Sequence, residues 1–359
     1  MRVIRGRGRA RQGEGTFPGW LEKTVGKKDS RAYRLRLLVQ AGFAFVCVLL
    51  GIQFARFTRA AAAGELPLPT RPPGVEGFLP ISGMMGLLDW IYQGTLNRIH
   101  PAATMLFVII VGIAWLARKS FCSWICPVGL LSETLARLGR RFLGRNFRLW
   151  KWLDVPLRGL KYLLLFFFVY AVATMSDAAL RGFIESPYNR VADVKMGLFF
   201  VRLGSTGATV LVVLFLLSIL VNGAWCRYLC PYGGLLGLAS LLSPFKVSRK
   251  ADACIDCGLC DKACMARLPV SKLDRVSSAE CTGCLDCIAT CPVSDALEVR
   301  ALRRWRVSLP AYAVIVLALF VGGYSGARLA GSWESGISDA EYSERIQNLD
   351  RPEYRHPGS

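Results

Sequence analysis

The residues with the clearest chemistry in this chain are cysteines. Eight of its thirteen cysteines write the spacing C-x₂-C-x₂-C-x₃-C twice within thirty-eight residues. They are Cys254, Cys257, Cys260 and Cys264 in the first copy and Cys281, Cys284, Cys287 and Cys291 in the second. This spacing is a ligand set for [4Fe-4S] clusters, in which three sulfurs of one copy bind one cluster and the fourth crosses to its neighbour. The sequence therefore predicts two clusters with exchanged ligands, namely Cys254, Cys257, Cys260 and Cys291 around one and Cys281, Cys284, Cys287 and Cys264 around the other.

Zinc is the alternative metal for such a pattern. A structural zinc site needs only four N or S ligands, so two identical sets of four cysteines exceed its requirement. Pro292 follows Cys291 as the ferredoxin pattern expects, whereas Met265 stands at the corresponding position after Cys264. That departure affects a turn and not a ligand. We expect a small α+β ferredoxin-like module over residues 251–300.

A second cysteine motif also occurs twice. Phe121–Leu130 and Trp225–Gly234 share the pattern aromatic-C-x-aromatic-aliphatic-C-P-x-G at an offset of 104 residues, and their cysteines are Cys122, Cys126, Cys226 and Cys230. A four-residue step predicts both cysteines of a copy on one helix face, with Pro127 and Pro231 interrupting or restarting the helix. Two interpretations stay open. The thiols either pack as small buried residues, or they form a four-thiolate metal site or two reversible disulfides.

The remainder of the chain has the composition of a membrane protein. Hydrophobic residues make up 53% of 359 positions. Five apolar runs come close to the ~20 residues that cross a bilayer core, at residues 37–57, 99–117, 160–176, 207–225 and 307–327. Lys161 in the third run is expected to snorkel. Cys47, alone inside the first run, is expected to be a small hydrophobe. The predicted fold is an all-α transmembrane bundle of about five spans with the α+β module inserted before the last span.

Charge sets the expected orientation. Lys and Arg number eleven in residues 1–36, ten in 118–161 and twelve in 227–306. Only four occur in each of the alternate segments 56–98, 181–202 and 328–359. The positive-inside rule then places the basic segment 1–36 and the cysteine module in the cytoplasm, and the polar tail 328–359 on the exported side. We expect that tail to be disordered or to dock on an exported partner. The Arg-rich run at residues 2–11 is explained by topology and anionic lipid, so no nucleic-acid partner is expected.

The two motifs together resemble a known family, the polytopic ferredoxin-like membrane proteins that include NapH and the C-terminal part of NosR, with CcoG as a more distant relative. The resemblance covers the first span through Pro292, with residues 37–250 as a membrane domain carrying both Cys-x₃-Cys-Pro copies. It implies a quinol-linked electron carrier of the bacterial cytoplasmic membrane, with cytoplasmic clusters and a redox protein partner such as a reductase or cytochrome. The fifth span at 307–327 and the Arg-rich head depart from the family pattern.

The sequence also bears on two further cofactors, haem b and covalent flavin. Only His100 and His356 are present, so a pair of axial histidines for an intrinsic haem b is not expected. The run 206–209, Thr-Gly-Ala-Thr, resembles a covalent flavin attachment sequence, but it opens an apolar run. Small residues at a helix start are ordinary packing, so covalent flavin is not expected either.

Quinol oxidation would require an apolar slot with a few groups that take protons. The loop before the second span supplies Asp89 and His100 as candidates to flank a quinone headgroup, with Glu76 as a proton exit. The alternative is a site at the cytosolic edge, built from Glu133, Asp154, Trp150 and Trp152. The sequence leaves both sites open, and residues 137–161 are predicted to form an interfacial helix.

Two functional classes follow. One is a respiratory carrier that passes electrons between the quinone pool or a cytosolic donor and a reductase. The other is a maturation factor that reduces a metal such as copper, or a disulfide, during metalloenzyme assembly. Soft ligands near the exported face would favour copper, and only Met84 and Met85 fit that description.

Overall fold

A computed structural model describes residues 30–144, 146–147 and 149–356. Most of the predicted basic segment 1–36 lies outside the described residues. The first helix of the described residues, α1, runs over Ser30–Ala63. The helices that follow as far as the cysteine module are α2 Pro80–Gln93, α3 Pro101–Ala117, α4 Ser120–Trp124, α5 Pro127–Leu143, α6 Lys151–Ala173, α7 Asp177–Ile184, α8 Pro187–Arg190, α9 Ala192–Val201, α10 Ser205–Leu220 and α11 Pro231–Ala239.

Each of the five predicted spans coincides with a helix, but their lengths differ. Among the described residues, three segments are long and apolar enough to cross a bilayer, Tyr33–Ala63, Trp152–Ala173 and Leu309–Leu329. The pair α9 and α10 is bent by 78° and counts as a fourth only if it forms one broken span. Helix α3 has 17 residues, or about 26 Å at 1.5 Å per residue, which is short of the ~30 Å core. That the chain has five membrane spans therefore remains a prediction.

The region between the second and third predicted spans differs from expectation. No single interfacial helix covers residues 137–161, because α5 ends at Gly144 in a left-handed conformation and α6 begins at Lys151. Lys161 does not snorkel. Its side chain is fully buried and its Nζ lies 2.6 Å from the Glu280 carboxylate, so an ion pair replaces the hydration that snorkelling would have provided.

The cysteine module has the predicted α+β character. Strand β1, Phe245–Arg249, enters it and β2, Leu297–Ala301, leaves it. The two pair antiparallel from Phe245 opposite Ala301 to Arg249 opposite Leu297, so the ends of the module meet. Strand β3, Trp305–Val307, pairs with β2 on its other edge. Inside the module lie α12, Leu259–Ala263, and α13, Asp286–Thr290.

The module and the C-terminal tail lie at opposite ends of the bundle. Arg36, near the start of α1, is bonded to Asp286 of the module, whereas Phe57, near its end, makes an edge contact with Tyr342 of the tail. Their separation of 21 residues along α1 is about 32 Å. Helix α14, Leu309–Leu329, also begins beside β3 and ends at the tail. This arrangement agrees with the charge asymmetry, which separates the same two regions.

The expectation of a disordered tail is wrong for residues 332–356. A helix α15, Asp339–Gln347, packs along α1 and buries Tyr342 and Ile346, and Trp333 and Tyr354 are buried as well. Tyr342, Ile346 and Tyr354 join a core with Phe54 and Phe57 at that end of the bundle. Trp333 packs in a neighbouring core with Ala102 and Leu106 of α3. The prediction failed because it rested on the polar composition of the tail, whereas the few apolar residues there are spaced to lie on one face.

Candidate iron–sulfur centres

The structure gathers the eight cysteines of the module into two cavities. One, here called the distal cavity, is lined by Cys254, Cys257, Cys260 and Cys291. The other, here called the bundle-facing cavity, is lined by Cys264, Cys281, Cys284 and Cys287. In each cavity three sulfurs come from one copy of the motif and the fourth from the other, which is the exchanged grouping that the spacing predicts.

The backbone of the two loops repeats along with the sequence. In the first loop Asp256 and Gly258, which flank the second cysteine, have φ of 50° and 67°. In the second loop the equivalent residues, Gly283 and Leu285, have φ of 64° and 62°. Alternation between right- and left-handed conformations turns backbone N–H groups inward and forms a concave site for an anion. A cluster held by four thiolates is such an anion.

The walls of both cavities fit an iron–sulfur cluster. Apart from the cysteines, the bundle-facing cavity is lined mainly by apolar side chains, among them Val247, Leu268, Val276 and Leu285. The distal cavity is lined by Ile255, Leu259, Val293 and Leu297, with Arg249 and Ser271 as its polar members. Leu268 N donates to Cys264 Sγ at 3.4 Å. Four thiols, an apolar shell and N–H donors to sulfur are the groups that hold such clusters and set their potential.

The bundle-facing cavity is attached to the membrane helices by hydrogen bonds from both Cys-x₃-Cys-Pro copies. Ser123 Oγ donates to Thr282 O at 2.7 Å, and Trp124 Nε1 donates to Gly283 O at 3.0 Å. In the second copy Arg227 Nη1 donates to Ala266 O at 2.9 Å. Ser123 and Arg227 each follow the first cysteine of their copy. Equivalent positions of the repeat therefore contact the two loops that form this cavity.

Buried charges complete the attachment. Arg36 of α1 is 2% exposed, and its guanidinium donates to Glu133 at 2.7 Å and to Asp286 at 3.1 Å. Asp286 stands between Cys284 and Cys287 of the second loop. A guanidinium presents five donors in a fixed fork, so one side chain can hold a membrane helix and a cluster loop together.

The four thiols of the repeat, Cys122, Cys126, Cys226 and Cys230, are here called the thiol quartet. The prediction that both cysteines of a copy lie on one helix face is wrong. Cys122 lies in α4 and Cys226 in a π-helical turn, Trp225–Leu229, whereas Cys126 and Cys230 are extended residues directly before the next helix. The reason is that proline excludes the helical conformation from the residue before it. The restart of a helix at Pro127 and Pro231 is confirmed.

The candidate quinol groups near the tail end of the bundle fall into two places. Glu76 and His100 meet, with Glu76 Oε1 3.2 Å from His100 Nδ1, and Arg71 pairs with both Glu76 and Asp193 at 2.7 Å. Glu76 is fully buried and also accepts from Ala103 N at 3.0 Å, so it caps the start of α3. Burial alone would raise the pKa of Glu76, but the charges of Arg71 and His100 outweigh burial and hold it below its usual range.

Asp89 belongs to a different group, because its carboxylate lies 3.9 Å from Arg181. Burial raises the pKa of Asp89 despite that arginine. The two methionines considered as copper ligands, Met84 and Met85, pack against the core at this end, and Met85 is only 3% exposed.

The alternative candidates at the module end are engaged in ion pairs. Glu133 is held by Arg36 and Arg137, and although burial would raise its pKa, the bonds and charges of these arginines lower it. Asp154 accepts from Arg227 at 3.0 Å and from Tyr228 Oη at 2.6 Å. The rings of Trp150 and Trp152 stack with centroids 6.1 Å apart on the surface.

Comparisons with known proteins agree with the two kinds of cysteine motif. The 4Fe-4S binding domain family matches residues 99–146 and again residues 203–250, and the 4Fe-4S dicluster domain family matches residues 246–301. The ferredoxin-type protein NapH of Haemophilus influenzae is 32% identical over 194 residues, which are 51% of this chain and 63% of that protein. The methylamine utilization ferredoxin-type protein MauN of Paracoccus denitrificans is 31% identical over 197 residues, 51% of this chain and 62% of its own.

The similarity to one relative extends over most of both chains. The putative electron transport protein YccM of Escherichia coli is 44% identical over 295 residues, which are 79% of this chain and 81% of that protein. The chain belongs to the NapH-like family of membrane 4Fe-4S ferredoxin-type proteins. The resemblance to NapH that the cysteine motifs indicated is thereby confirmed. No solved structure matches this ferredoxin-type chain.

Sequence reasoning missed the residues that attach the module to the bundle. Arg36, Ser123, Arg227 and the pair Lys161–Glu280 were not singled out for this role. One signal was available, since Ser123 and Arg227 occupy the same variable position inside the repeat. Nothing local marks Arg36, whose partner Asp286 is 250 residues away.

Proposed function

We propose that this ferredoxin-type protein carries electrons between the membrane quinone pool and a redox protein partner, through two [4Fe-4S] clusters held by its eight module cysteines. When bound, such a cluster takes up and returns one electron without making or breaking a bond to substrate. The observation that carries the proposal is the pair of four-cysteine cavities, one of which faces the membrane bundle. The names of the relatives NapH and YccM, a ferredoxin-type protein and a putative electron transport protein, support the same function.

The contacts of the two cavities favour an order of electron flow. The bundle-facing cavity receives hydrogen bonds from Ser123, Trp124 and Arg227 of the membrane part. The distal cavity is lined by module residues alone, and its loop residue Ile255 is half exposed. We therefore propose that the membrane side communicates with the bundle-facing cluster and that the soluble partner docks beside the distal one.

The electrons need a source that the chain can reach. Oxidation of a hydroquinone releases two electrons and two protons, so its site requires polar groups that accept protons. Of the two candidate sites, we favour the module end with Glu133, Asp154, Trp150 and Trp152. The reason is distance, because Glu76 and His100 lie at the tail end of α1, roughly 30 Å from the module.

The test uses the whole chain purified without oxygen in a lipid nanodisc. A short-chain quinol analogue is added, and reduced clusters are counted by electron paramagnetic resonance. We expect signals from both clusters in the wild type. In Cys281→Ser, which lacks one ligand of the bundle-facing cavity, dithionite should still reduce the distal cluster but quinol should not. Reduction of the distal cluster by quinol at the wild-type rate in that variant would overturn the order, and protein that binds no iron would overturn the function.

A further inference from the structure

The Cys-x₃-Cys-Pro copies contain four thiols that the two-cluster function leaves unused. We propose that the thiol quartet is one shared site that binds a third iron–sulfur centre, located between the membrane helices and the bundle-facing cavity. The inference deepens the proposed function and rests on it, since it adds a centre to the same route. It concerns binding alone, and no step of chemistry is assigned to the centre.

The repeat delivers its thiols to one place. Helix α11 of the second copy packs against α3, which leads into the first copy, and Cys122 and Tyr232 join the same core. The thiol of Cys122 lies within electrostatic range of the other three thiols, and that of Cys226 within range of Cys126 and Cys230. Two halves related by the repeat therefore face each other.

The second cysteine of each copy directly precedes the start of a helix. Gly233 N donates to Cys230 Sγ at 3.2 Å, and in the first copy the N–H groups of Val128 and Gly129 lie near enough to the sulfur of Cys126 to stabilise a charge on it. These groups are the first N–H groups of α11 and α5, which have no partner inside their helices. N–H donors and the positive end of a helix both favour the thiolate over the thiol.

The donor count requires both copies. A cluster of this type takes four thiolates. Each match to the 4Fe-4S binding domain family contains one pair, Cys122 with Cys126 or Cys226 with Cys230. Neither match can therefore complete a centre by itself, whereas the facing pairs supply four sulfurs.

A buried cation is the independent observation that points to an anionic occupant. Lys119 is 3% exposed, and its Nζ lies 3.4 Å from the point where a β-carbon on Gly233 would stand, with Cys230 Sγ 3.5 Å from the same point. Within the described part of the chain, no carboxylate lies within 4 Å of this ammonium. Glu280, which senses its charge, is already bonded to Lys161.

A buried ammonium that has no bonded carboxylate destabilises the fold. Neutral packing cysteines would leave that cost in full, and so would two disulfides, because neither carries charge. A centre held by four thiolates is anionic and would offset it. Of the two interpretations of the repeat, the charge of Lys119 therefore favours the metal site.

The experiment measures iron, acid-labile sulfide and protein in the full chain purified without oxygen. Two module clusters account for about 8 irons per chain, and a third centre raises the total to about 10 or 12. In Cys226→Ser and in Cys122→Ser we expect the total to return to about 8, with the module signals unchanged. Cys47→Ser tests whether the quartet alone supplies the ligands, since Cys47 lies in α1 outside the repeat but within electrostatic range of Cys126, and its iron content should equal that of the wild type.

Two further readouts cover the case in which a cysteine variant does not fold. In the wild type, the quartet thiols should resist alkylation until the iron is removed and then react without any reductant. In Lys119→Met the centre should remain, but its midpoint potential should fall because a neighbouring positive charge is lost, and Lys119→Arg should restore it.

Several results would overturn the proposal while leaving the two module clusters intact. They are about 8 irons per chain with alkylatable quartet thiols, thiols that react only after a disulfide reductant, and stoichiometric zinc or copper in place of the extra iron. Loss of iron from the eight module cysteines would instead refute the proposed function.

Discussion

Lys161 of α6 and Glu280 of the module form a buried ion pair, with Nζ 2.6 Å from each carboxylate oxygen. Tyr162 Oη donates to the same carboxylate at 3.1 Å. Glu280 directly precedes Cys281, so a membrane helix positions the first cysteine of the second copy. The pair joins residues 119 positions apart.

Lys161→Met should destabilise the protein by about 3–5 kcal/mol, because it leaves a mostly buried carboxylate without its partner. The free energy of unfolding in detergent measures the effect, and Lys161→Met combined with Glu280→Gln should recover part of it. Lys250→Met is the matched control. Its ammonium is exposed and lies 3.6 Å from Glu298, which also contacts Arg300 and Arg306, so the cost should stay below ~1 kcal/mol. Equal costs for the two variants would contradict the structural role of the pair.

Exchange of the fourth ligand predicts a pattern of non-additive iron loss. Cys264→Ser and Cys281→Ser should each remove about 4 irons per chain, and the double variant should remove the same 4, because both line the bundle-facing cavity. Cys264→Ser combined with Cys254→Ser should remove about 8. The iron content of protein purified without oxygen distinguishes exchanged ligands from one separate ligand set in each copy. The reverse pattern would show that each copy ligates its own cluster.

Gly283 and Gly258 provide a matched pair for the backbone of the two loops. Both have positive φ, but a β-carbon on Gly283 would lie 2.6 Å from Tyr312 Oη, whereas Gly258 has open space. Gly258→Ala should lower the free energy of unfolding by about 1–2 kcal/mol, because alanine disfavours a positive φ. Gly283→Ala should cost clearly more and should lower the iron content of the bundle-facing cavity. Denaturant titration and iron analysis report both quantities, and indistinguishable variants would rule out the steric contribution of Tyr312.

The ion cluster around Glu76 predicts a specific dependence of stability on pH. The groups that face Glu76 are Arg71, His100 and Asp193, with Tyr342 beside Arg71. Since the folded state lowers the pKa of Glu76, its contribution is present above the unfolded value of about 4.3 and is lost as pH falls through the folded pKa.

Glu76→Gln should therefore stay less stable than the wild type from pH 7 to about pH 5, with a gap that does not shrink because protonated His100 also loses its partner, and the gap should close only below about pH 4. Thermal unfolding in detergent at fixed ionic strength measures the gap. Asp339→Asn, at the start of α15 and exposed, serves as the control. A gap that closes between pH 7 and pH 5 would contradict the lowered pKa.

The separation of basic segments from segments poor in Lys and Arg predicts the orientation. Alkaline phosphatase fused after residue 356 should be active in cells, whereas the same fusion after Arg249 should be inactive, because the enzyme works only on the exported side. The opposite activities would place the module outside and would remove its access to cytoplasmic partners.

The amino-acid sequence alone determined the two repeats and the approximate positions of the main helices, and it predicted which cysteines group together. These are local properties, since thiol spacing limits which sulfurs can share a cluster and a run of apolar residues indicates where a helix lies. The prediction that Cys264 and Cys291 cross between the copies also follows from spacing, and in the structure Cys264 lines the bundle-facing cavity and Cys291 the distal one.

Only the tertiary structure decided which groups meet over long distances. It brought the two Cys-x₃-Cys-Pro copies together, turned one cavity toward the bundle, paired Arg36 with Asp286, and joined Glu76 to His100 while leaving Asp89 with Arg181. The physical reason is that burying a charge is favourable only beside its partner, and that partner can lie anywhere in the chain. Composition likewise did not show that the polar tail folds back on α1, because a few well-spaced apolar residues were enough to anchor it.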